Sequence, residues 1–247
     1  MFKQAKGFPY ARFLKRLHHA ATVDWYLEIG CRKGGSLANV TGKSIAVDPF
    51  FKIQTNILRS KPALLLFQQT SDDFFASGML RAMGARLSLS FIDGMHLMEF
   101  ALRDFINVER NAVPGGVAMF HDCCPWNLEM TTRDLDNLPK GAWTGDVWKI
   151  IPILKSHRPD LTVRVVDASP SGVVVVEGLD PENATLAEAY DDILAEYRDL
   201  ELADYGVERF NDQFDYESAI GLVRAGFPFL PDSLKVDRGE APAFVTP

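Results

Sequence analysis

Five short apolar runs that alternate with longer spacers constrain the fold of this chain more than any other feature. Each run is rich in branched and aromatic residues and is bounded by Gly, Pro or Asp, which is typical of buried strands. The runs cover residues 25–30, 44–50, 63–69, 87–94 and 115–122. Between the last two, residues 97–113 place apolar side chains at helical spacing and stop before Pro114. The alternation predicts an α/β fold: a mostly parallel sheet with right-handed crossovers and helices on both faces.

The end of the chain has a different pattern. Residues 161–178 contain two β-rich runs that are separated only by the Ser-Pro-Ser-Gly of residues 169–172. This connection is too short for a crossover helix, so the two runs are expected to pair as an antiparallel hairpin. An acidic helix is predicted over residues 183–205, and loop or tail from Pro228 onward. We therefore predict three segments, namely a helical extension over 1–23, the α/β domain over 24–180, and a helical cover with a tail over 181–247.

The charge balance argues for small-molecule partners. The chain carries 26 basic and 33 acidic residues, a net charge of −7, so it has no overall electrostatic footprint for nucleic acid or an anionic membrane. The 47% hydrophobic and 24% charged residues are typical of a globular protein and argue against extensive disorder. Oligomeric state does not follow from these numbers, and a homo-oligomer stays open.

Cysteine usage and the N-terminal sequence predict a reduced, cytoplasmic location. The three cysteines, Cys31, Cys123 and Cys124, form no C-x-x-C pair, so neither a disulfide framework nor a zinc knuckle is indicated. The first twenty residues hold basic and aromatic side chains without a continuous apolar stretch, and no segment reaches the length of a membrane span.

A glycine-containing turn follows the first predicted strand. Glu28 precedes Gly30, and three further residues lead to Gly34, Gly35 and Ser36. Glycines here let the backbone turn tightly and approach a ligand, while the N–H groups of a following helix, capped by Ser36, would point at that ligand. A nucleotide-like cofactor is one interpretation, and a sharp βα turn without a ligand is the other. The spacing is not G-x-G-x-x-G, which disfavours a nicotinamide or flavin cofactor.

Acidic residues follow the second and third predicted strands. Asp48 lies 18 positions after Gly30, close to the roughly 20 at which an acid meets ribose hydroxyls in βαβ nucleotide sites; the alternative is a simple Asp-Pro turn. Asp72 and Asp73 are placed to reach an adenine amino group or to cap the next helix, and the cap is slightly favoured. The sequence TGKS at residues 41–44 imitates a phosphate-binding loop, but it precedes a strand instead of following one, so an ATPase is rejected.

The fourth and fifth predicted strands end in polar residues. Asp93 and His96 follow the fourth strand, and His121 and Asp122 end the fifth. If these strands are neighbours, the side chains emerge at the same edge of the sheet. Two carboxylates with an imidazole suit a divalent ion, and His121 would favour Mn²⁺ or Fe²⁺ over Mg²⁺. His96 is placed to exchange a proton near neutral pH.

Tryptophans mark the long segment after the fifth strand. Trp126 and Trp143 lie among glycines and polar residues, where an aromatic ring can stack on a sugar or an aromatic ligand, or pack the loop onto the domain. Trp148 begins an apolar helical pattern that continues through Ile151 and Leu154, so it is predicted to be part of the core.

These motifs resemble those of class I S-adenosylmethionine-dependent methyltransferases over residues 24–178. The shared features are the acid-x-Gly-x-x-x-Gly turn, the acid after the second strand and the terminal hairpin. More narrowly, FIDGMH and PGGVAMFHD are similar to the small-molecule and sugar O-methyltransferases related to macrolide-sugar and cephalosporin-hydroxylase-type enzymes. The resemblance implies a Rossmann-like sheet of seven strands, S-adenosylmethionine as cofactor, and methylation of a small-molecule or sugar hydroxyl.

The resemblance also implies roles for individual residues. His96 would be the base, and Asp93 and Asp122 would hold a divalent metal such as Mg²⁺ or Mn²⁺. His121 stands where that branch has an acid and is the third candidate ligand. The cofactor would be bound by Glu28, Gly30, Gly34, Asp48 and Asp72. The alternatives left open are a non-catalytic cofactor-binding protein on the same fold, a nucleotide-dependent oxidoreductase and a metal-dependent hydrolase.

Overall fold

One eight-stranded sheet organises the chain in the computed structural model, which describes residues 1–235. Its strands are β1 (Trp25–Ile29), β2 (Lys43–Val47), β3 (Leu64–Phe67), β4 (Leu87–Ile92), β5 (Ala112–His121), β6 (Thr162–Val166), β7 (Val173–Glu177) and β8 (Tyr216–Glu217). They lie in the order β3-β2-β1-β4-β5-β7-β6-β8. Strands β1 to β5 are parallel, whereas β7 is antiparallel to both β5 and β6.

Helices cover both faces of this sheet. They are α1 (Tyr10–Ala20), α2 (Ser71–Ala76), α3 (Met79–Ala82), α4 (Met98–Arg110), α5 (Ile150–His157), α6 (Thr185–Glu188), α7 (Tyr190–Tyr197), α8 (Leu202–Tyr205), α9 (Val207–Asn211) and α10 (Ala219–Arg224). Two apolar clusters form the core, one on each face of the sheet. One contains α4 and α5, and the other contains α1 and α10. No helix among residues 1–235 combines the length and hydropathy that a bilayer span requires.

The register of the central strands aligns the residues that follow them. Ile29 of β1 lies opposite Ile92 of β4, and Ile92 lies opposite Phe120 of β5. Because these strands are parallel, the next residue of each emerges at the same edge of the sheet. Strand β4 is buried along its whole length, which explains why its apolar run stops only where Asp93 begins. The polar residues are thus brought together by register.

The predicted α/β sheet with helices on both faces and a terminal antiparallel hairpin is confirmed. Its strand number is one higher than predicted, because the two-residue β8 pairs with the outer edge of β6. A strand this short carries no periodicity that a sequence pattern could reveal. Trp148 is buried in the core, as predicted. The segment boundaries at residues 23 and 180 stay predictions.

Two predicted helices differ from the structure. The glycine turn leads into a single 3₁₀ turn, Leu37–Asn39, instead of an α-helix. The acidic stretch over 183–205 is divided into α6, α7 and α8, and Gly206 with φ +93° ends the last of these, since only glycine adopts that conformation without strain. Within the predicted C-terminal tail, residues 228–235 contain the 3₁₀ turn Asp232–Leu234, and residues 236–247 lie outside the described part.

Candidate active site

The glycine turn after β1 rests directly on the backbone that follows β4. Gly30 has φ +86°, and a Cβ there would lie 2.0 Å from the carbonyl oxygen of Asp93. Gly34 has φ +76°, and its Cβ would lie 2.5 Å from Cγ2 of Ile57. A side chain at either position would be strained and would overlap its neighbour. The two glycines are therefore required by the local geometry of the turn.

Glu28 lies beneath this turn and holds it in place. Its side chain is 1% exposed; Oε1 accepts a hydrogen bond from Oγ of Ser36 at 2.6 Å and Oε2 accepts one from the Tyr26 hydroxyl at 2.8 Å. Burial raises the pKa of Glu28 to about 7, although these two hydrogen bonds act in the opposite direction. Both carboxylate oxygens are thus occupied within the protein, and Ser36 supports the turn instead of capping a helix.

Asp48 follows β2 and lies beside the same turn. Oδ2 accepts a hydrogen bond from the Arg32 backbone N–H at 2.8 Å, and Oδ1 accepts one from the Phe50 N–H at 2.7 Å. The side chain is 6% exposed. Because each carboxylate oxygen has more than one acceptor position, this arrangement orients Asp48 and leaves capacity for a ligand hydroxyl.

Asp72 is engaged elsewhere. Its two carboxylate oxygens accept hydrogen bonds from the Arg103 guanidinium at 2.9 and 2.7 Å. The expectation that Asp72 or Asp73 caps the helix is wrong, because Thr70 is the N-cap: its hydroxyl oxygen accepts the Asp73 backbone N–H at 3.1 Å. A contact between Asp72 and a cofactor stays a prediction.

The polar residues after β4 and β5 form one compact cluster. Nε2 of His96 lies 3.6 Å from Oδ1 of Asp93 and 3.4 Å from Oδ2 of Asp122. Nδ1 of His121 lies 3.3 Å from Oδ1 of Asp93 and 3.4 Å from Oδ1 of Asp122. The cluster is partly open, since the side chain of His96 is 19% exposed and that of Asp93 is 20% exposed. The structure thus brings together all four residues that the sequence placed at this edge.

Opposite charges inside the cluster shift the pKa values of its members. Burial alone would raise the pKa of Asp93, but the adjacent His121 and His96 outweigh burial and lower it to about 2. Burial alone would lower the pKa of His121, but Asp93 and Asp122 raise it to about 10. The pKa of His96 is also raised, because Asp93 and Asp122 outweigh its burial. Asp93 and the two imidazoles therefore stabilise each other's charged forms.

Three further residues enclose the cluster. The first is Ser171, whose hydroxyl donates a hydrogen bond to the Asp122 carboxylate. Asp122 itself adopts φ +59°, a left-handed conformation that Asp tolerates better than most residues. The ring of Tyr10 lies 3.9 Å from that of His121, centroid to centroid, and the ring of Trp143 lies 5.0 Å from that of His96. Of these three, the sequence indicated only Trp143 as a ligand-facing aromatic.

Comparison with known proteins finds a family model that matches part of the chain. The sequence profile of a family described as Methyltransferase domain matches residues 27–123, from β1 through the end of β5. This part of the chain is similar to a methyltransferase domain, the class that the sequence motifs indicate. The predicted enzyme class is confirmed, and methyl transfer is favoured over the oxidoreductase and hydrolase alternatives. A search of curated proteins found no match to this methyltransferase.

Several solved structures are similar to this chain at low sequence identity. The cofactor-bound Rv0187 from MTB is 14% identical, with a TM-score of 0.51 over 69% of this chain and 80% of that chain. An O-methyltransferase from Bacillus cereus in complex with SAH is 12% identical, with a TM-score of 0.48 over 68% and 80%. The O-methyltransferase TomG from Streptomyces achromogenes, in complex with SAM, is 15% identical, with a TM-score of 0.44 over 69% and 79%. The likeness to Rv0187 at this identity concerns the fold alone.

The donor set of this methyltransferase fits a divalent ion. Asp93, His96 and Asp122 each offer one ligand atom, and these atoms all lie within 4.8 Å of one another. Two carboxylates and an imidazole are ligands that Mn²⁺ accepts readily, whereas Mg²⁺ prefers oxygen alone. His121, the third ligand expected from the sequence, lies beside both carboxylates, whereas the imidazole of the three-ligand group belongs to His96.

Proposed function

We propose that this methyltransferase transfers the methyl group of S-adenosylmethionine to a hydroxyl of a small molecule or sugar, with His96 as the base. The observation that carries the proposal is the position of Nε2 of His96, which faces Asp93 and Asp122 at 3.6 and 3.4 Å beside the glycine turn. Methyl transfer to oxygen requires an acceptor hydroxyl held in line with the sulfonium methyl group and a group that takes its proton. His96 supplies that group at a partly open position.

The ring nitrogens of His96 have different roles in this proposal. Nδ1 lies 3.0 Å from the carbonyl oxygen of Trp143, and a carbonyl oxygen only accepts hydrogen bonds, so Nδ1 carries a proton. Nε2 is then the atom that takes the proton from the acceptor hydroxyl as the oxygen attacks the methyl group. The resulting imidazolium is stabilised by Asp93 and Asp122. No rearrangement of the Trp143 contact is needed during the step.

The cofactor would lie along the glycine turn. Gly30 and Gly34 would bring the backbone of the turn under its amino-acid portion, and Asp48 is oriented to accept hydrogen bonds from ribose hydroxyls. Glu28 acts indirectly by holding Ser36 and the turn. A small-molecule acceptor, the absence of nucleic-acid and membrane partners, and a cytoplasmic location stay predictions from the sequence.

Asp93 and Asp122 would hold a divalent ion, with one of the two imidazoles as a further ligand. When bound, such an ion would lower the pKa of the acceptor hydroxyl and orient it. If His121 is that ligand, Nε2 of His96 stays free to take the proton. The Ser171 hydroxyl donates a hydrogen bond to the Asp122 carboxylate. This hydrogen bond would orient Asp122 as a ligand of the ion.

Cofactor binding is the direct test of the function. S-adenosylmethionine or its demethylated product, at 100 times its Kd, is expected to stabilise the protein by about 2.7 kcal/mol and to raise its Tm by about 5 to 10 °C. Gly30→Ala should abolish this rise because its Cβ would overlap Asp93. Gly35→Ala is the matched control, since a Cβ there meets nothing within 4 Å. No rise with either ligand in the wild-type protein would refute the function, as would a rise with NAD(H) alone.

His96→Ala tests the role of His96 as the base separately from cofactor binding. We expect turnover of an acceptor found by screening to fall by about 100-fold or more, the ordinary effect of removing a general base. The Kd of the demethylated cofactor should change less than about threefold, because His96 is placed toward the acceptor. Calorimetry and a methyl-transfer assay measure the two quantities on the same sample. Unchanged turnover would remove His96 from the mechanism.

A further inference from the structure

One short segment, residues 143–146, encloses His96 although it lies 47 residues or more away in sequence. The Trp143 carbonyl oxygen accepts a hydrogen bond from Nδ1 of His96 at 3.0 Å, and the Trp143 ring lies 5.0 Å from the imidazole. The Asp146 backbone N–H donates to the carbonyl oxygen of His96 at 3.1 Å. The segment thus contacts both the ring and the backbone of the same residue.

Gly145 permits this close approach. It has φ +53°, and a Cβ there would lie 1.7 Å from the His96 carbonyl oxygen and 3.0 Å from the His96 Cβ. No side chain fits at that separation, so the backbones of the two segments lie directly against each other. Gly141, four residues earlier in the same loop, has open space around it. The requirement for glycine is therefore specific to the position that faces His96.

Asp146 also fixes the helix that follows His96. Its Oδ1 accepts a hydrogen bond from the Met98 backbone N–H at 2.7 Å. Met98 begins α4, and the residue before it, Leu97, has no polar side chain to cap the helix. Asp146 therefore satisfies an N–H group that would otherwise lack a partner in the first turn. Its negative charge is also favourable at that end of the helix.

A buried ion cluster holds Asp146 itself. Its Oδ2 lies 2.6 Å from Nη1 of Arg133 and 2.6 Å from Nζ of Lys149. Arg133 also pairs with Glu99, and Lys149 also donates to the Arg198 carbonyl oxygen after α7. The side chains of Asp146 and Lys149 are almost completely buried, where a charge is tolerated only when it is paired. The cluster therefore connects the loop, the start of α4 and the C-terminal helices.

We infer that Trp143, Gly145 and Asp146 are positioning residues that hold His96 with Nδ1 protonated and Nε2 directed at the reacting hydroxyl. The inference rests on the proposed function for the role of His96 as base. The positioning of His96 does not depend on the cofactor, because all the contacts described above join residues of this chain. The loop after β5 is thus part of the proton-transfer apparatus in addition to enclosing the site.

The Nδ1 proton of His96 provides the test. In the ligand-free protein, ¹H–¹⁵N NMR is expected to show this proton protected from exchange with water, because it is bonded to the Trp143 carbonyl. Gly145→Ala should accelerate its exchange by at least about tenfold, whereas Gly141→Ala should leave it unchanged. The resonance is assigned by its loss in His96→Ala. A protected proton of wild-type exchange rate in folded Gly145→Ala would overturn the inference.

Asp146 variants give a second test if Gly145→Ala fails to fold. Asp146→Asn keeps an oxygen for the Met98 N–H but loses the ion pair with Lys149, whereas Asp146→Ala removes both, so protection of the His96 proton should fall further in the alanine variant than in the asparagine variant. Equal protection in both variants and the wild type would contradict a positioning role. If the wild-type protein failed to bind S-adenosylmethionine while these NMR results held, the proposed function would fail and the positioning would stand.

Discussion

Replacing Asp93 by Asn is expected to reduce methyl transfer by about a thousandfold, an effect in the middle of the range for groups that act directly in proton transfer. Asp93 is one of the two carboxylates that face Nε2 of His96, and it is the nearer acid to the glycine turn, because its carbonyl oxygen lies against Gly30. Asparagine preserves the shape but removes the charge. The imidazolium that forms when His96 takes a proton then keeps Asp122 as its remaining anionic neighbour in the cluster.

The same substitution tests the divalent ion. A rise in Tm on adding Mn²⁺ to the wild-type protein should be absent in Asp93→Asn, because one of two carboxylate ligands is lost. Stability without metal should also fall, by about 2 to 4 kcal/mol, since His121 keeps its buried positive charge with one anionic partner fewer. This loss of stability is smaller than that expected for breaking a fully buried ion pair, because the Asp93 side chain is 20% exposed.

Asp136→Asn is the matched control for Asp93. Asp136 is an exposed acid of the loop after β5, so its replacement removes the same charge without touching the cluster. Turnover, the Mn²⁺ response and Tm should stay within error of the wild type. A Mn²⁺ response that survived in Asp93→Asn would exclude Asp93 as a ligand, and wild-type turnover in that variant would exclude it from catalysis.

The strand-end residues were predictable from the sequence for a physical reason. Parallel strands that are buried on both faces read as apolar runs, and their carboxyl ends meet at one edge. Asp48, Asp93 and His121 could therefore be placed at one edge of the sheet without knowing the register. Gly30 could be assigned to the turn because it ends the first run. Local sequence carries this information, since each residue is defined by the strand that it follows.

The residues that enclose the cluster could not be predicted in the same way. Tyr10 reaches His121 from the N-terminal helix, and Ser171 reaches Asp122 from the turn of the hairpin. Both contacts join positions that are separated by 49 residues or more in sequence. Such contacts depend on how whole segments pack over the sheet edge, which periodicity and spacing do not describe. Asp146 was missed for the same reason, because its partners are the backbone of Met98 and the side chains of Arg133 and Lys149.

Asp72 shows where a spacing argument fails for a single side chain. The sequence places it after β3, at the edge where the cofactor is expected, and this part is correct. Its carboxylate, however, is paired with Arg103 of α4 at 2.7 Å. An arginine within reach competes for any carboxylate on the surface. Sequence position therefore indicated the edge of the sheet but not the partner of the side chain.

Glu28→Gln is expected to stabilise the protein by about 3 kcal/mol at pH 8 and by almost nothing at pH 4. Burial raises the pKa of Glu28 from 4.5 to about 7 in the folded protein. The neutral carboxyl is thus the form that the fold prefers, and the stability associated with it is fully present below pH 4.5 and is lost as the pH rises through 7. A shift of this size corresponds to about 3 kcal/mol. Glutamine keeps hydrogen-bonding groups for Ser36 and Tyr26 but cannot ionise.

Urea unfolding of both proteins between pH 4 and pH 9 measures this difference. The free energy of unfolding of the wild type should fall relative to that of Glu28→Gln between pH 4.5 and pH 7, and the gap should then be constant. Asp104, whose pKa is also raised to about 7 by burial, adds its own pH dependence to both proteins, so the difference isolates Glu28. Glu208→Gln, at an exposed acid of α9, should differ from the wild type by less than about 0.5 kcal/mol at every pH. A gap between Glu28→Gln and the wild type that did not change with pH would mean that the pKa of Glu28 is the same in the folded and unfolded protein, and burial would then not disfavour its charged form.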